Sequence, residues 1–335
     1  MKLAMAYFFD EHADKIAIAR QLGVTHAVSN ASRRGNTIPA EGWDFAPFEA
    51  RVRLFAAQGI KVDVVEGPTP FENAKLGLPG RDLEIETMCE LIRRMDALDI
   101  RTLCYNWMPV VGWFRSRTDI PTRGGATVTG YCHADMQGAP LTEAGEVTAE
   151  RMWDSLAYFL RAVVPVAENY GIRLAIHPDD PPVPSLRGIA RILIDAGALE
   201  RALSLVPSPN HGLTLCQGCF AAMGENPVEM IERFGREQKL FFAHFRDIRG
   251  HAYDFQETFH DDGQSDMYAC MKAYCRAGFD GCIRPDHVPS MLGERSDHPG
   301  YGTMGNLYAI GYMRGLMTAA AKETEREREA YESAV

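Results

Sequence analysis

Eight short apolar runs alternate with eight amphipathic stretches along the whole chain, and few folds accept that alternation. The runs are LAMAYFF (3–9), THAVS (25–29), KVDVVE (61–66), RTLCYN (101–106), RLAIH (173–177), GLTLC (212–216), LFFAH (240–244) and GCIRPD (281–286). Helical spacing of apolar residues falls at roughly 12–22, 45–58, 82–98, 147–170, 187–205, 226–236, 265–277 and 303–322. Strands that alternate with helices pair in parallel through βαβ crossovers. A closed barrel and an open doubly wound sheet both satisfy this pattern, and the count of eight favours the α/β class as a (β/α)8 TIM barrel. The 335 residues then form one barrel domain, 1–335. It carries long loops at about 107–146 after the fourth strand and 245–264 after the seventh, and a charged tail at about 323–335. Both loops leave the C-terminal ends of strands, so they are expected to overhang one rim as lids or pocket walls.

Charge and composition narrow the function classes. The net charge is −10 and no Lys/Arg-rich tract occurs, which argues against nucleic acid or an anionic membrane as partner. The N-terminal apolar run is broken by Asp10 and Glu11 and lacks a small-residue cleavage site, so it reads as the first buried strand. No run approaches the roughly 18 apolar residues needed to cross a bilayer. Eight cysteines in a chain of this length are not a disulfide framework, and reduced thiols in a cytoplasm are expected.

Four residues of metal-ligand type stand at the ends of consecutive strands: His177, Cys216, His244 and Asp286. A parallel barrel brings its strand ends to one rim, where barrel enzymes keep their chemistry. A mixed nitrogen, sulfur and oxygen set suits a divalent transition metal. In HPDDPP (177–182) the prolines stiffen the loop, and Asp179 is expected to orient His177 or to contact substrate. CQGC (216–219) opens no obvious helix of a small βαβ redox domain; Cys216 reads as a ligand and Cys219 as a packing residue, with an inert core role for both or a reversible redox pair as the other options. Arg246 and Arg249 beside His244 suit an anionic substrate. His287, next to Asp286, is free for acid–base work. Tyr301 lies between glycines in PGYG (299–302), placed to clamp substrate or transfer a proton.

Taken together, these stretches resemble the mannonate dehydratase family, barrel lyases related in fold to the xylose isomerases. The resemblance runs through KLGLPGRD (75–82), CYNWMPV (104–110), Trp113 and Arg115, HPDDPP, HFRDIRG (244–250), SDMY (265–268), RPDH (284–287) and PGYG. It implies loss of water from D-mannonate to give 2-keto-3-deoxy-D-gluconate, with a divalent metal. Mn2+ is the expected ion, and Fe2+, Co2+, Ni2+ or Zn2+ are alternatives. The implied ligands are His177, Cys216, His244 and Asp286, with His287 and Tyr301 as the acid–base pair. Asn106, Arg115, Asp179, Arg246 and Arg284 are the candidates to bind the sugar acid. Three stretches depart from the family's pattern: CQGC replaces its usual C-T-G-S, Val288 and Pro289 follow RPDH in place of G-H, and Gly112 replaces an acid before Trp113. The metal set is intact while part of the pocket differs. An isomerase or epimerase on the same barrel is the alternative reading, and a metal- or redox-sensing binding protein built on Cys216 and Cys219 is a third. A small sugar acid is the expected partner, and a homo-oligomer the expected assembly.

Overall fold

Eight parallel strands close into a barrel in a computed structural model that describes residues 1–9, 12–32, 37–39, 41–294 and 298–334. Asp10 and Glu11 lie outside the described residues. The barrel strands are β1 (Lys2–Tyr7), β2 (His26–Ser29), β3 (Lys61–Glu66), β4 (Thr102–Asn106), β7 (Arg173–His177), β10 (His211–Cys216), β11 (Leu240–Phe245) and β14 (Cys282–Pro285). Their order around the barrel is β1-β14-β11-β10-β7-β4-β3-β2, every pair parallel. These strands read as continuous apolar runs because both faces are covered. Ala4, Ala6, Val28, Val64, Ala175, Phe242 and Cys282 fill the barrel interior. Leu3, Met5, Tyr7, Leu103, Leu174 and Ile283 meet the helices in the outer core.

The helical layer is α1 (His12–Gln21), α2 (Ala46–Ala57), α3 (Glu72–Leu76), α4 (Arg81–Ala97), α5 (Ala149–Asn169), α6 (Ala196–Leu205), α7 (Gln217–Met223), α8 (Pro227–Arg236), α9 (Met267–Arg276) and α10 (Thr303–Ala334). Side chains cap several starts: Thr148, Asp195, Asn226 and Asp266 each accept a backbone N–H from the first turn. Two helices depart from the periodicity. The stretch expected to be helical from 187 starts only at Ala196. Ahead of it lie the short strands β8 (Ser185–Leu186) and β9 (Ile189–Ala190), hinged on Arg187 and Gly188. Both hinge residues have positive φ, and a Cβ on Gly188 would sit 2.8 Å from the Gly145 carbonyl. The final helix runs past the expected 322, because Glu323 and Glu327 pair with Lys272 and Arg276 of α9.

The two long connections fold onto each other. Residues of the first form β5 (Arg117–Pro121) and β6 (Thr127–Cys132); those of the second form β12 (Ile248–His251) and β13 (Asp254–Glu257). They join in one antiparallel sheet of order β12-β13-β6-β5. Tyr131, Val183, Leu186, Ala221, Ile248 and Phe255 give it a small core of its own against the barrel rim. Gly130 sits where β6 meets β13, and a Cβ there would lie 2.6 Å from the Phe255 carbonyl.

Candidate metal centre and active site

Strand register brings the expected donors to one level of the rim. Asn106 pairs with His177, Cys216 with His244, and His244 with Arg284, two residues before Asp286. The strands that carry them, β7, β10, β11 and β14, are neighbours in the barrel. His177 Nε2 lies 3.1 Å from His244 Nδ1, which lies 3.5 Å from Asp286 Oδ2; that oxygen is 3.8 Å from Cys216 Sγ. A tetrahedron of ligands at about 2.0–2.3 Å from an ion has edges of about 3.3–3.8 Å. Three of the six separations, 3.1, 3.5 and 3.8 Å, lie near those edges, and all four donors are buried. His177 Nδ1 sits 2.6 Å from the Pro178 carbonyl, so its proton belongs there and the Nε2 lone pair faces the cluster.

The expected orienting role of Asp179 is not seen. Its carboxylate accepts the Leu193 N–H at 2.9 Å and lies outside the pocket lining, and burial pushes its carboxyl up despite the charge of Arg191. Its neighbour Asp180 lines the pocket instead. Arg115 donates to both Asp180 oxygens at 2.6 and 2.8 Å, and Arg246 donates to Asp180 Oδ2 at 2.8 Å. Arg246 also reaches Asp286 Oδ2 at 2.8 Å, both Glu257 oxygens at 3.0 and 3.1 Å, and Cys219 Sγ at 3.2 Å. Arg284 spans Glu66 (2.7 and 3.0 Å) and Asp286 Oδ1 (2.9 Å). The three arginines expected to meet substrate therefore stand behind the pocket wall, with their N–H groups committed to carboxylates. Arg249 is half exposed and pairs with Asp262.

Charge states follow from this packing. Burial raises the carboxyls of Glu66, Asp180 and Glu257, yet the facing guanidiniums, Arg284 for the first and Arg115 with Arg246 for the others, hold each down to about 2. Asp286 is likewise held well below the carboxylate range, by His287, His244 and Arg284 against burial. Burial alone would raise the Cys216 thiol, but the Cys219 hydrogen bond and Arg246 hold it well below the usual thiol range. Four carboxylates and one thiolate outnumber the three guanidiniums, and without an ion the His244 imidazole, despite burial pushed up to about 10 by Glu66 and Asp286, takes part of that surplus as a proton. A cation among the same nitrogen, sulfur and oxygen donors would take the place of that proton, so the donor set and the local charge suit a bound M2+.

The pocket above the donors is lined by Glu66, Asn106, Trp113, Asp180, His287 and Tyr301 among others. Asn106 accepts from Lys75 Nζ at 3.2 Å and the Met108 N–H at 3.1 Å through its oxygen. Its amide N–H groups remain for a ligand. His287 Nδ1 lies 2.8 Å from Glu257 Oε1 and 3.2 Å from Arg115 Nη2; the shorter contact, to the carboxylate, favours the proton on Nδ1 and Nε2 as the acceptor. Trp113 lies against the His287 ring at 4.7 Å between centroids, and Tyr301 meets it edge-on at 5.5 Å. Burial and the Asp286 charge push the Tyr301 phenol far up, so it keeps its proton. CQGC opens a short helix on the barrel rim, with Cys216 as the N-cap of α7. Cys219 is buried beside Cys216 and Arg246, and the tight seat of Gly218 on the Arg246 guanidinium leaves no room for a Cβ. All eight cysteines are free.

Fold and rim together define a (β/α)8 TIM barrel with a metal-type donor set at its strand ends. The profile of the D-mannonate dehydratase (UxuA) family matches residues 1–144 and 139–327. Mannonate dehydratase 2 of Halalkalibacterium halodurans is 34% identical over 353 residues, covering 96% of this chain and 100% of that protein. The crystal structure of mannonate dehydratase from Streptococcus suis serotype 2 superposes with a TM-score of 0.89 at 29% identity, covering 97% of this chain and 95% of that one. A D-tagatose 3-epimerase-like protein matches with a TM-score of 0.64 at 15% identity, over 97% of this chain and 100% of that one, and bears on the fold alone. The chain belongs to the D-mannonate dehydratase family, a family of lyases.

Proposed function

We propose that this chain removes water from D-mannonate to give 2-keto-3-deoxy-D-gluconate, using a divalent metal, Mn2+ first, held by His177, Cys216, His244 and Asp286. The observation that supports this most is the convergence of those four donors at one level of the rim, with successive separations of 3.1, 3.5 and 3.8 Å, beneath a pocket that also holds His287 and Tyr301. Free cysteines throughout suit a cytoplasmic setting.

The reaction removes the C2 proton and the C3 hydroxyl, and the enol that remains becomes the 2-keto acid. An aldonate is slow to lose its C2 proton because its carboxylate already carries charge. The bound metal would supply a Lewis acid that stabilises the charge developing on the carboxylate. His287 is the base we assign, since Glu257 fixes the proton on Nδ1 and leaves Nε2 to accept. Tyr301 is the acid, since its buried phenol retains a proton for the departing hydroxyl. Asn106 hydrogen-bonds the polyol through its amide. Arg115, Arg246 and Arg284 act from behind the wall by holding Asp180, Glu257, Glu66 and Asp286 ionised.

The test is incubation of the metal-loaded protein with a panel of aldonates and detection of a 2-keto-3-deoxy acid. D-mannonate should give the product, and His287→Gln should lower kcat by about 10²–10⁴ while Mn2+ affinity holds. No such product from any aldonate overturns the reading. Solvent deuterium entering recovered sugar acid without water loss would transfer the site to epimerisation.

A further inference from the structure

We infer that Glu66 is a positioning residue for the metal centre, and that with Arg284 it forms one rigid unit aiming two of the four donors, His244 and Asp286. The inference rests on the metal-site reading above and adds a residue that lies outside the donor set. Glu66 ends β3, across the rim from the strands that carry the donors.

Geometry singles it out. His244 turns Nδ1 towards His177 and Asp286, at 3.1 and 3.5 Å. Its other nitrogen, Nε2, points away from the cluster and lies 3.3 Å from Glu66 Oε1, an ion-pair contact short of hydrogen-bond alignment. A carboxylate at that distance favours the proton on Nε2 and leaves Nδ1 to face the cluster, and turning the ring over would lose that pairing. The same Glu66 oxygen receives Arg284 Nη2 at 2.7 Å, and Oε2 receives Arg284 Nε at 3.0 Å. The remaining arm of that guanidinium, Nη1, donates to Asp286 Oδ1 at 2.9 Å. That leaves Asp286 Oδ2 directed at Cys216 and His244. One carboxylate therefore holds the His244 ring directly and Asp286 through one intermediary. A planar guanidinium in bidentate contact transmits orientation as well as charge.

A competing use of the same atoms is excluded by their chemistry. Glu66, Cys104 and His244 also cluster as a donor trio. The Glu66 carboxylate already faces the Arg284 cation, however, and the buried Cys104 sulfur accepts the Thr214 hydroxyl at 3.1 Å while burial pushes its thiol far up. Neither is a free anionic ligand. Glu66 also lines the pocket, so a contact to substrate is the rival role.

The experiment measures Mn2+ and Co2+ binding to the purified full chain without substrate, by chelator competition, together with the visible spectrum of the Co2+ form. Glu66→Ala should weaken Mn2+ affinity about 10–100-fold and alter the Co2+ d–d bands. Glu66→Gln keeps an oxygen for His244 but loses the ion pair, and should fall between Ala and wild type. Wild-type metal affinity in both variants overturns the proposal, as does a raised KM for aldonate with metal binding unchanged. Where the alanine variant does not fold, the glutamine variant alone carries the comparison, with circular dichroism as the check. Since no substrate is present, failure of D-mannonate as substrate leaves this result standing. A wild-type chain that binds neither ion sinks the metal-site reading itself.

Discussion

Asp180→Asn removes one charge from the hub that joins Arg115 to Arg246, and its cost follows from the geometry. Asp180 makes three hydrogen bonds to the two guanidiniums, at 2.6, 2.8 and 2.8 Å, and all three side chains are almost completely buried. Water cannot replace what is lost. Removing one member of a buried ion-paired group costs about 3–5 kcal/mol, because the remaining charges stay desolvated. At roughly 2 °C per kcal/mol for a chain larger than the usual calibration set, the midpoint should fall by about 6–10 °C. The assay is urea unfolding and calorimetry of the chelator-treated protein at pH 7, where metal binding contributes nothing. The pH dependence has a definite sign. The folded carboxyl titrates at about 2 against an ordinary value of 3.8, so its stabilisation is complete above about pH 4 and is lost as pH falls through about 2. The gap between wild type and variant should be constant from pH 7 to about 4 and narrow below. A loss under about 1 kcal/mol at pH 7, or a gap that widens on acidification, refutes the reasoning.

Two further outcomes test the surroundings of the donors. A thiol reagent should modify Cys216 in the chelator-treated protein and spare it when Mn2+ is present; equal labelling in both states would remove Cys216 from the ligand set. Gly218→Ala should destabilise the chain by about 1–3 kcal/mol and weaken Mn2+ binding, since the added methyl has to displace an Arg246 guanidinium pinned by Asp180, Glu257, Asp286 and Cys219. A variant with unchanged midpoint and metal affinity would show that the guanidinium moves freely.

The barrel was legible because its strands are long enough to carry period and composition together, and the eight runs match the eight strands within a residue or two at most ends. Donor residues at strand ends were legible for the same reason, since register then puts them level. What could not be read was partnership across loops. Glu257 sits in a segment whose pairing with β6 depends on another insertion, and no local pattern announces it. The neighbouring Asp179 and Asp180 have the same side chain, and only the turn of the loop decides which one meets the arginines. Glu66 did carry a signal, as the acidic last residue of the third strand, at the same end as the donors. Arginines look like anion binders in any sequence; their saturation by buried carboxylates is visible only in three dimensions.

The sheet laid over the rim ties distant parts of the chain to one charge cluster. Glu257 reaches His287, Arg115 and Arg246 from β13, which hydrogen-bonds to β6 from a different insertion. The two segments belong to the connections after β4 and β11, so the covering sheet needs both insertions and the two staves that carry them. A copy lacking its final third therefore lacks Glu257, and with it the counter-charge shared by His287, Arg115 and Arg246.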